Sequence, residues 1–285
     1  MNAPPGEESA DVAELDRLIA PLRGDPGRAA VLTDIDGTIA PIVIKPSEAA
    51  VPERTRELLR ELARRYALVG CLSGRRARDA REVVGLAELA YSGNHGFELL
   101  LPGESEVRPD PSLDGHESDA PRFIEGLNRS TLEGAGIRIE DKGAIVALHW
   151  RGASNEAEAE SLANEVASEA DWLGLAAHRG RKVLEIRPNV AIDKGIAVAA
   201  LLSTFSAPED ADGRSIEAAL YGGDDRTDVD AFTALRTLER DGALSRSVCV
   251  AVASEESPPE VSREADVTVD GPAGFVPVLE ALAAP

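Results

Sequence analysis

Two aspartates one residue apart, Asp34 and Asp36, close the apolar run Ala29-Ala30-Val31-Leu32 and are followed by Gly37 and Thr38. Carboxylates at positions i and i+2 of a strand that is ending can splay round one small volume. Held that close they repel, and a divalent cation such as Mg²⁺ relieves the repulsion by taking hard oxygen ligands from carboxylates, water and phosphate. One carboxylate is then free to attack a phosphoryl group, while its neighbour hands a proton to the leaving oxygen. Gly37 lets the backbone come close to an anion, and Thr38 adds a hydroxyl and an amide. An Asp-Gly turn after a strand is the competing reading of the same hexapeptide.

Four further stretches carry residues of similar chemistry. Ser73-Gly74-Arg75 follows the apolar run Ala67 to Leu72, so Ser73 either caps the next helix or serves as a phosphate donor at its start. Asn94 and His95 stand between Gly93 and Gly96 after the short strand Leu89 to Ser92. A loop His beside Asn suits sugar hydroxyls or phosphate better than core packing. Lys194 falls at the start of a helix over 192–202, where the dipole disfavours a cation unless a carboxylate and a phosphate lie beside it. The strand Glu217 to Tyr221 empties into Gly222-Gly223-Asp224-Asp225-Arg226-Thr227-Asp228-Val229-Asp230, whose four aspartates exceed what the single Arg226 can pair. A cation is the simplest remedy, with Asp224 at the strand edge the better ligand and Asp228 and Asp230 partly helix-start acids.

The elements that position these residues alternate in one pattern: buried strand, polar loop, helix, buried strand. That alternation predicts an α/β fold, a Rossmann-like parallel sheet core with helices on both faces, its polar loops on the carboxyl edge where such sheets bind ligands. Residues 1–28 are expected to form an N-terminal extension with a helix over Ala10 to Leu22. Residues 29–100 and 187–285 form the core, closed by strands at Val248 to Ala253 and Val267 to Val269 and a helix over Gly274 to Leu282. The extended loop Ala40 to Pro46 and a helix after Pro52 lie between the first two strands.

From 101 to 186 the composition changes, and an inserted α+β cap domain is expected. A polar connector over Gly103 to Asp119 leads to a helical stretch at Arg122 to Leu132. Strands at Gly136 to Glu140 and Ala144 to Trp150 follow, then a helix at Asn155 to Trp172 and a strand at Lys182 to Ile186. Here Glu140, Lys142, His149, Arg151, Arg181, Lys182 and Glu185 are candidate contacts to an anionic sugar. Each alone also reads as a solvated strand residue.

With 285 residues and 43% apolar content the chain is expected to fold as one large domain plus a smaller insertion. No apolar run approaches the length of a membrane-spanning helix, and the start at Met1 to Glu8 is acidic, so a cytoplasmic chain is expected. A net charge of −21 disfavours nucleic acid and anionic membranes as partners. The expected partner is a small-molecule substrate of a monomeric protein. Cys71 and Cys249 both lie in apolar strand-like runs and read as buried hydrophobes.

Taken in order, the motifs resemble the haloacid dehalogenase-like superfamily and, within it, the trehalose-6-phosphate phosphatase family. Asp34-Ile35-Asp36-Gly37-Thr38, Ser73-Gly74-Arg75, Lys194 and Gly223-Asp224-Asp225-Arg226-Thr227-Asp228 are similar to the superfamily's four motifs. Gly93 to Gly96 with Glu98, Glu140 to Lys142, His149 to Arg151 and Glu185 to Pro188 are similar to the trehalose-phosphatase branch. The resemblance implies hydrolysis of trehalose 6-phosphate through an aspartyl-phosphate on Asp34, with Asp36 as general acid and base. It implies Mg²⁺ held by Asp34, the backbone carbonyl of Asp36 and Asp224, supported by Asp225 and Asp228. Ser73 and Lys194 would hold phosphoryl oxygens, with Gly37, Thr38 and Arg75 beside the substrate. Sucrose-phosphate or mannosyl-phosphoglycerate phosphatases, a hexose-phosphate mutase and a non-catalytic sugar-phosphate-binding module are the alternatives.

Overall fold

The strands Ala29–Thr33 (β1), Leu68–Leu72 (β2) and Ala90–Gly93 (β3) are buried along their whole length, as near-continuous apolar runs must be when both sheet faces are covered. A computed structural model describes residues 7–43, 48–180, 182–206, 215–255 and 257–284, with side chains from residue 14 onward. The expected loop at Ala40 to Pro46 falls partly outside the described residues. The chain divides into two compact units, residues 1–108 with 192–285, and residues 109–191.

In the first unit eight strands form one sheet. With Glu98–Leu100 (β4), Arg108–Pro109 (β5), Ala218–Gly223 (β10), Arg246–Ala253 (β11) and Val267–Asp270 (β12), the order is β12-β11-β10-β1-β2-β3-β4-β5. From β12 to β3 every neighbouring pair is parallel, and β4 then pairs antiparallel with β3. This unit's first segment ends at Arg108, within β5. β1 and β10 are adjacent with Thr33 opposite Gly222, so the loops after them leave the sheet side by side.

Alternate residues of each strand feed two separate cores. Val31, Val69, Leu220 and Val250 face one side. They pack there with the helices Glu7–Gly24 (α1), Glu53–Ala63 (α2), Ala77–Val84 (α3) and Gly271–Ala283 (α10). Ala30, Leu32, Leu68, Tyr221 and Ala251 face the other. Lys194–Phe205 (α7), Arg226–Arg240 (α8) and Pro259–Glu264 (α9) cover that side. Helices on both faces of a mostly parallel sheet follow from this split. Cys71 and Cys249 are buried in opposite cores, and burial pushes the Cys249 thiol up to about 12.

The second unit is an antiparallel sheet of Arg138–Asp141 (β6), Val146–His149 (β7), Ala176–Gly180 (β8) and Val183–Arg187 (β9), in the order β6-β7-β9-β8. Val146, Leu148, Leu184 and Ile186 form its apolar face. The helices Asp119–Glu125 (α4), Arg129–Gly134 (α5) and Glu156–Trp172 (α6) pack on that face. The single helical stretch expected at Arg122 to Leu132 is two helices, interrupted at 126–128, where the Asn128 side chain accepts from the Thr131 amide and starts α5. No helix among the described residues is long and apolar enough to cross a membrane.

Candidate active site

β1 stops hydrogen-bonding as a strand where Asp34 donates its amide to the Gly222 carbonyl at 2.8 Å, and the chain then folds into a turn in which the Ala40 amide reaches the Ile35 carbonyl. Gly37 takes φ +96°, a backbone conformation that side-chain-bearing residues rarely adopt. It also runs so close to Asp224 that a Cβ there would lie 2.2 Å from Oδ2. The turn after β1 and the loop after β10 are thereby pressed together.

Lys194 crosses this junction. Its ammonium is 2.7 Å from Asp34 Oδ1 and 2.6 Å from Asp228 Oδ1, with all three residues buried. Asp228 also accepts from the Tyr221 hydroxyl at 2.7 Å and from the amides of Asp224 and Asp225 at 3.0 and 2.9 Å. The helix start explains this placement: Asp225 is the N-cap of α8 and Asp228 its third residue, and the two form a capping box. Asp225 thus turns its carboxylate onto its own helix terminus, while Asp228 points inward. The excess of acid expected around Arg226 is met in part by Lys194 and by helix amides.

Asp34, Asp224 and Asp228 bring ligand oxygens within 4.8 Å of one another. Burial raises the Asp34 carboxyl well above the usual range; Lys194 pulls it down, and Asp228 and Asp224 push it up. For Lys194, burial opposes the charge but Asp228 and Asp34 outweigh it and raise the ammonium above its ordinary value. Three buried carboxylates around one ammonium leave a shortage of positive charge, and the all-oxygen donor set fits a hard divalent cation. Thr38 Oγ1 lies 3.4 Å from Asp224 Oδ1.

Asp36 faces the other way, toward the loop after β2. Arg75 grips it with two hydrogen bonds, Nε to Oδ2 at 2.6 Å and Nη2 to Oδ1 at 2.8 Å. Ser73 is buried and does not cap α3; its hydroxyl accepts from the Arg75 amide at 3.1 Å. Glu98 serves α3 instead, accepting from the Ala77 amide at 2.8 Å and, through its other oxygen, from Asn94 Nδ2 at 3.0 Å. Nothing in the spacing of Glu98 announced that role. Asn94 is buried, and the His95 ring lies over Gly74.

In the second unit, β6, β7 and β9 turn one polar face away from their helices. Glu140, Ala147, Glu185 and His178 stand in one row across the four strands. Lys142 Nζ is 2.8 Å from Glu185 Oε1, and Arg187 holds the other oxygen of Glu185, with Nε at 3.1 Å. His149 Nε2 is 2.7 Å from Glu140 Oε2. Arg151 and Lys182 are exposed on turns beyond the strands, Lys182 paired to Glu156 at 2.5 Å, and Arg181 lies outside the described residues. Sequence reasoning missed His178, whose strand Ala176–Gly180 has no β-branched residue to mark it. It left Arg187 out of the contact set although the residue closes the Glu185 network.

A sequence model of the trehalose-phosphatase family matches residues 32–272, from β1 to α10. A trehalose 6-phosphate phosphatase of Zea mays is 32% identical over 239 residues, which are 80% of this chain and 64% of that protein. An uncharacterised glycosyl hydrolase of Mycobacterium tuberculosis is 35% identical over 212 residues, 73% of this chain but 15% of that protein. The chain therefore spans less than two thirds of the length of these relatives. The C-terminal domain of the Candida albicans trehalose-6-phosphate phosphatase shares the fold, with a TM-score of 0.70 at 22% identity over 94% of this chain and 96% of that domain. The matched segment carries the junction of Asp34, Lys194, Asp224 and Asp228 in full, and the chain belongs to the trehalose-phosphatase family.

Proposed function

We propose that the core site hydrolyses trehalose 6-phosphate to trehalose and phosphate. The observation that carries this reading is Lys194 joining Asp34 to Asp228 beside Asp224, at the carboxyl edge of the sheet, in a chain of this family. The Asp34 carboxylate attacks phosphorus, the bond from phosphorus to the sugar oxygen breaks, and the phosphoryl group stays on Asp34. Asp36 gives a proton to the departing sugar oxygen. It then takes one from the water that attacks the aspartyl-phosphate, which frees phosphate and restores Asp34.

Ser73 and Lys194 hold phosphoryl oxygens, Thr38 and the Gly37 backbone border them, and Arg75 fixes the direction of Asp36. Asp34, Asp224 and Asp228, with the Asp36 carbonyl and with Asp225 behind them, are the residues that would hold Mg²⁺. The ion supplies positive charge to offset that of the phosphoryl group. Such catalysis is mostly positioning and charge stabilisation. Glu140, Lys142, His149 and Glu185 serve as readers of the distal sugar, with Arg151 and Lys182 at their margin.

Phosphate release from trehalose 6-phosphate, sucrose 6-phosphate and glucose 6-phosphate, each with Mg²⁺ and with EDTA, tests the reading. A large Mg²⁺-dependent preference for trehalose 6-phosphate is the expected result. Broad activity without that preference would keep the chemistry and discard the substrate.

A further inference from the structure

The turn between β3 and β4 places two consecutive residues other than glycine in the left-handed region, Asn94 at φ 51° and His95 at φ 58°. Such a pair is disfavoured and persists only where its surroundings hold it. Here holding contacts run to two other loops. The Asn94 amide donates to the Arg75 carbonyl at 2.6 Å, and the His95 amide donates to the Ser73 carbonyl at 2.9 Å. The His95 ring occupies the space a side chain at position 74 would need, since a Cβ there would lie 2.6 Å from Nε2. Glu98 ties Asn94 to the first amide of α3. On its other side, Gly96 at φ +118° packs on the first turn of α7, where a Cβ would sit 3.1 Å from the Asp193 carbonyl and from Ile192. Asp193 is the N-cap from which Lys194 projects to Asp34.

We propose that the turn at 93–98 is a brace that fixes Ser73, Arg75 and Lys194 relative to one another, with Asn94, His95 and Glu98 as positioning residues that act through those groups and do not touch the sugar. The proposal rests on the phosphatase reading above and deepens it. It moves Asn94 and His95 out of the set of sugar contacts expected from the sequence. A strained turn suits this task because its conformation is set by contacts to both loops, so a shift in either one is opposed by the other.

The reversed-pair experiment tests it. Glu98→Gln keeps one acceptor where two are used, and Asn94→Asp sets two carboxylates against each other; the double variant restores the bond with donor and acceptor exchanged. Each single variant should lower kcat about tenfold on both trehalose 6-phosphate and p-nitrophenyl phosphate, with the ratio of kcat/KM between the two substrates unchanged. The double variant should recover to within about threefold of the parent, an interaction of the size neighbouring residues show. His95→Ala should likewise slow both substrates about equally. Should Asn94→Asp fail to fold, His95→Ala and Glu98→Gln carry the same comparison. Losses confined to the sugar phosphate, unaltered kcat in folded single variants, or additive losses in the double variant would each overturn the brace. A parent protein without preference for trehalose 6-phosphate would refute the substrate while leaving the p-nitrophenyl phosphate arm intact. With no turnover of either compound, the dissociation constant of inorganic phosphate gives the readout. It should weaken about tenfold in Glu98→Gln and recover in the double variant, and an unchanged constant would overturn the proposal.

Discussion

In the core unit one cation, Lys194, is set against Asp34 and Asp228 with Asp224 in reach, whereas in the inserted unit one carboxylate, Glu185, is shared by two cations, Lys142 and Arg187. The first cluster is short of positive charge and the second has it in surplus. Buried charge that is incompletely paired is costly, so the core cluster gains by taking up a cation. In the inserted unit Glu185, Lys142 and Arg187 already hold one another. A sugar bound there, as proposed, would exchange contacts with these existing partners. Against a net charge of −21, the local surplus at Lys142 and Arg187 matters for an anionic substrate.

The deepest cut into that comparison is Asp34→Asn. It removes the proposed nucleophile while Lys194 keeps Asp228, so turnover should fall by roughly four orders of magnitude or more while the melting temperature holds. Steady-state kinetics beside a thermal melt checks both halves, and activity retained in the folded variant would reject Asp34 as nucleophile. Asp228→Asn strikes stability as well. Asp228 accepts from Lys194, Tyr221 and two backbone amides in a fully buried position, and breaking such a network costs about 3–5 kcal/mol. Denaturant unfolding with and without Mg²⁺ should show a less stable variant whose stability no longer rises with the ion. Equal Mg²⁺ responses in parent and variant would remove Asp228 from the ion's ligands.

Lys142→Met sharpens the other side. Glu185 keeps Arg187, so the unit should stay folded, while KM for trehalose 6-phosphate rises about 10–100-fold, or about 1.4–2.8 kcal/mol. Hydrolysis of p-nitrophenyl phosphate should be unaffected. Parallel losses on both compounds would dissolve the division between a unit that activates and a unit that recognises.

How far the sequence discloses this division depends on the kind of signal. β1, β2 and β10 are legible because a strand buried on both faces reads as an unbroken apolar run, and the motifs sit where those runs stop. β4, β5 and β8 are not, being short, antiparallel or poor in β-branched residues. The four aspartates after β10 are visible as a group, but their separate duties are set by helix phase: N-cap position turns Asp225 outward and sends Asp228 to Lys194. The grip of Arg75 on Asp36 depends on β1 and β2 lying side by side with Thr33 opposite Cys71, a tertiary fact that no local pattern encodes. Glu98 belongs to a motif legible in the sequence, yet its bond to the α3 terminus depends on the antiparallel return of β4.

The smallest effect expected separates the two clusters by their response to acid. In the inserted unit, the hydrogen bond from His149 is the largest influence on Glu140 and holds its carboxyl below the usual range, helped by Lys142 against partial burial. A carboxyl whose folded value is depressed contributes stability that is present above its unfolded value, about 4.3, and lost as pH falls through the folded value. The protection of β6 and β7 amides against exchange, taken relative to free-peptide rates at each pH, should therefore fall as the solution is taken from about pH 5 into the acid range. In His149→Gln that pH dependence should flatten, because the amide still donates to Glu140 but without a charge. Asp34, whose carboxyl is raised by burial, gives the core the opposite sign: a raised carboxyl weakens the folded state as it ionises, so relief of that strain should come on acidification. If β6 and β7 instead keep the same protection across this range in parent and variant, the His149–Glu140 pair does not stabilise the polar face. The proposed sugar-reading face would then rest on Lys142, Glu185 and Arg187.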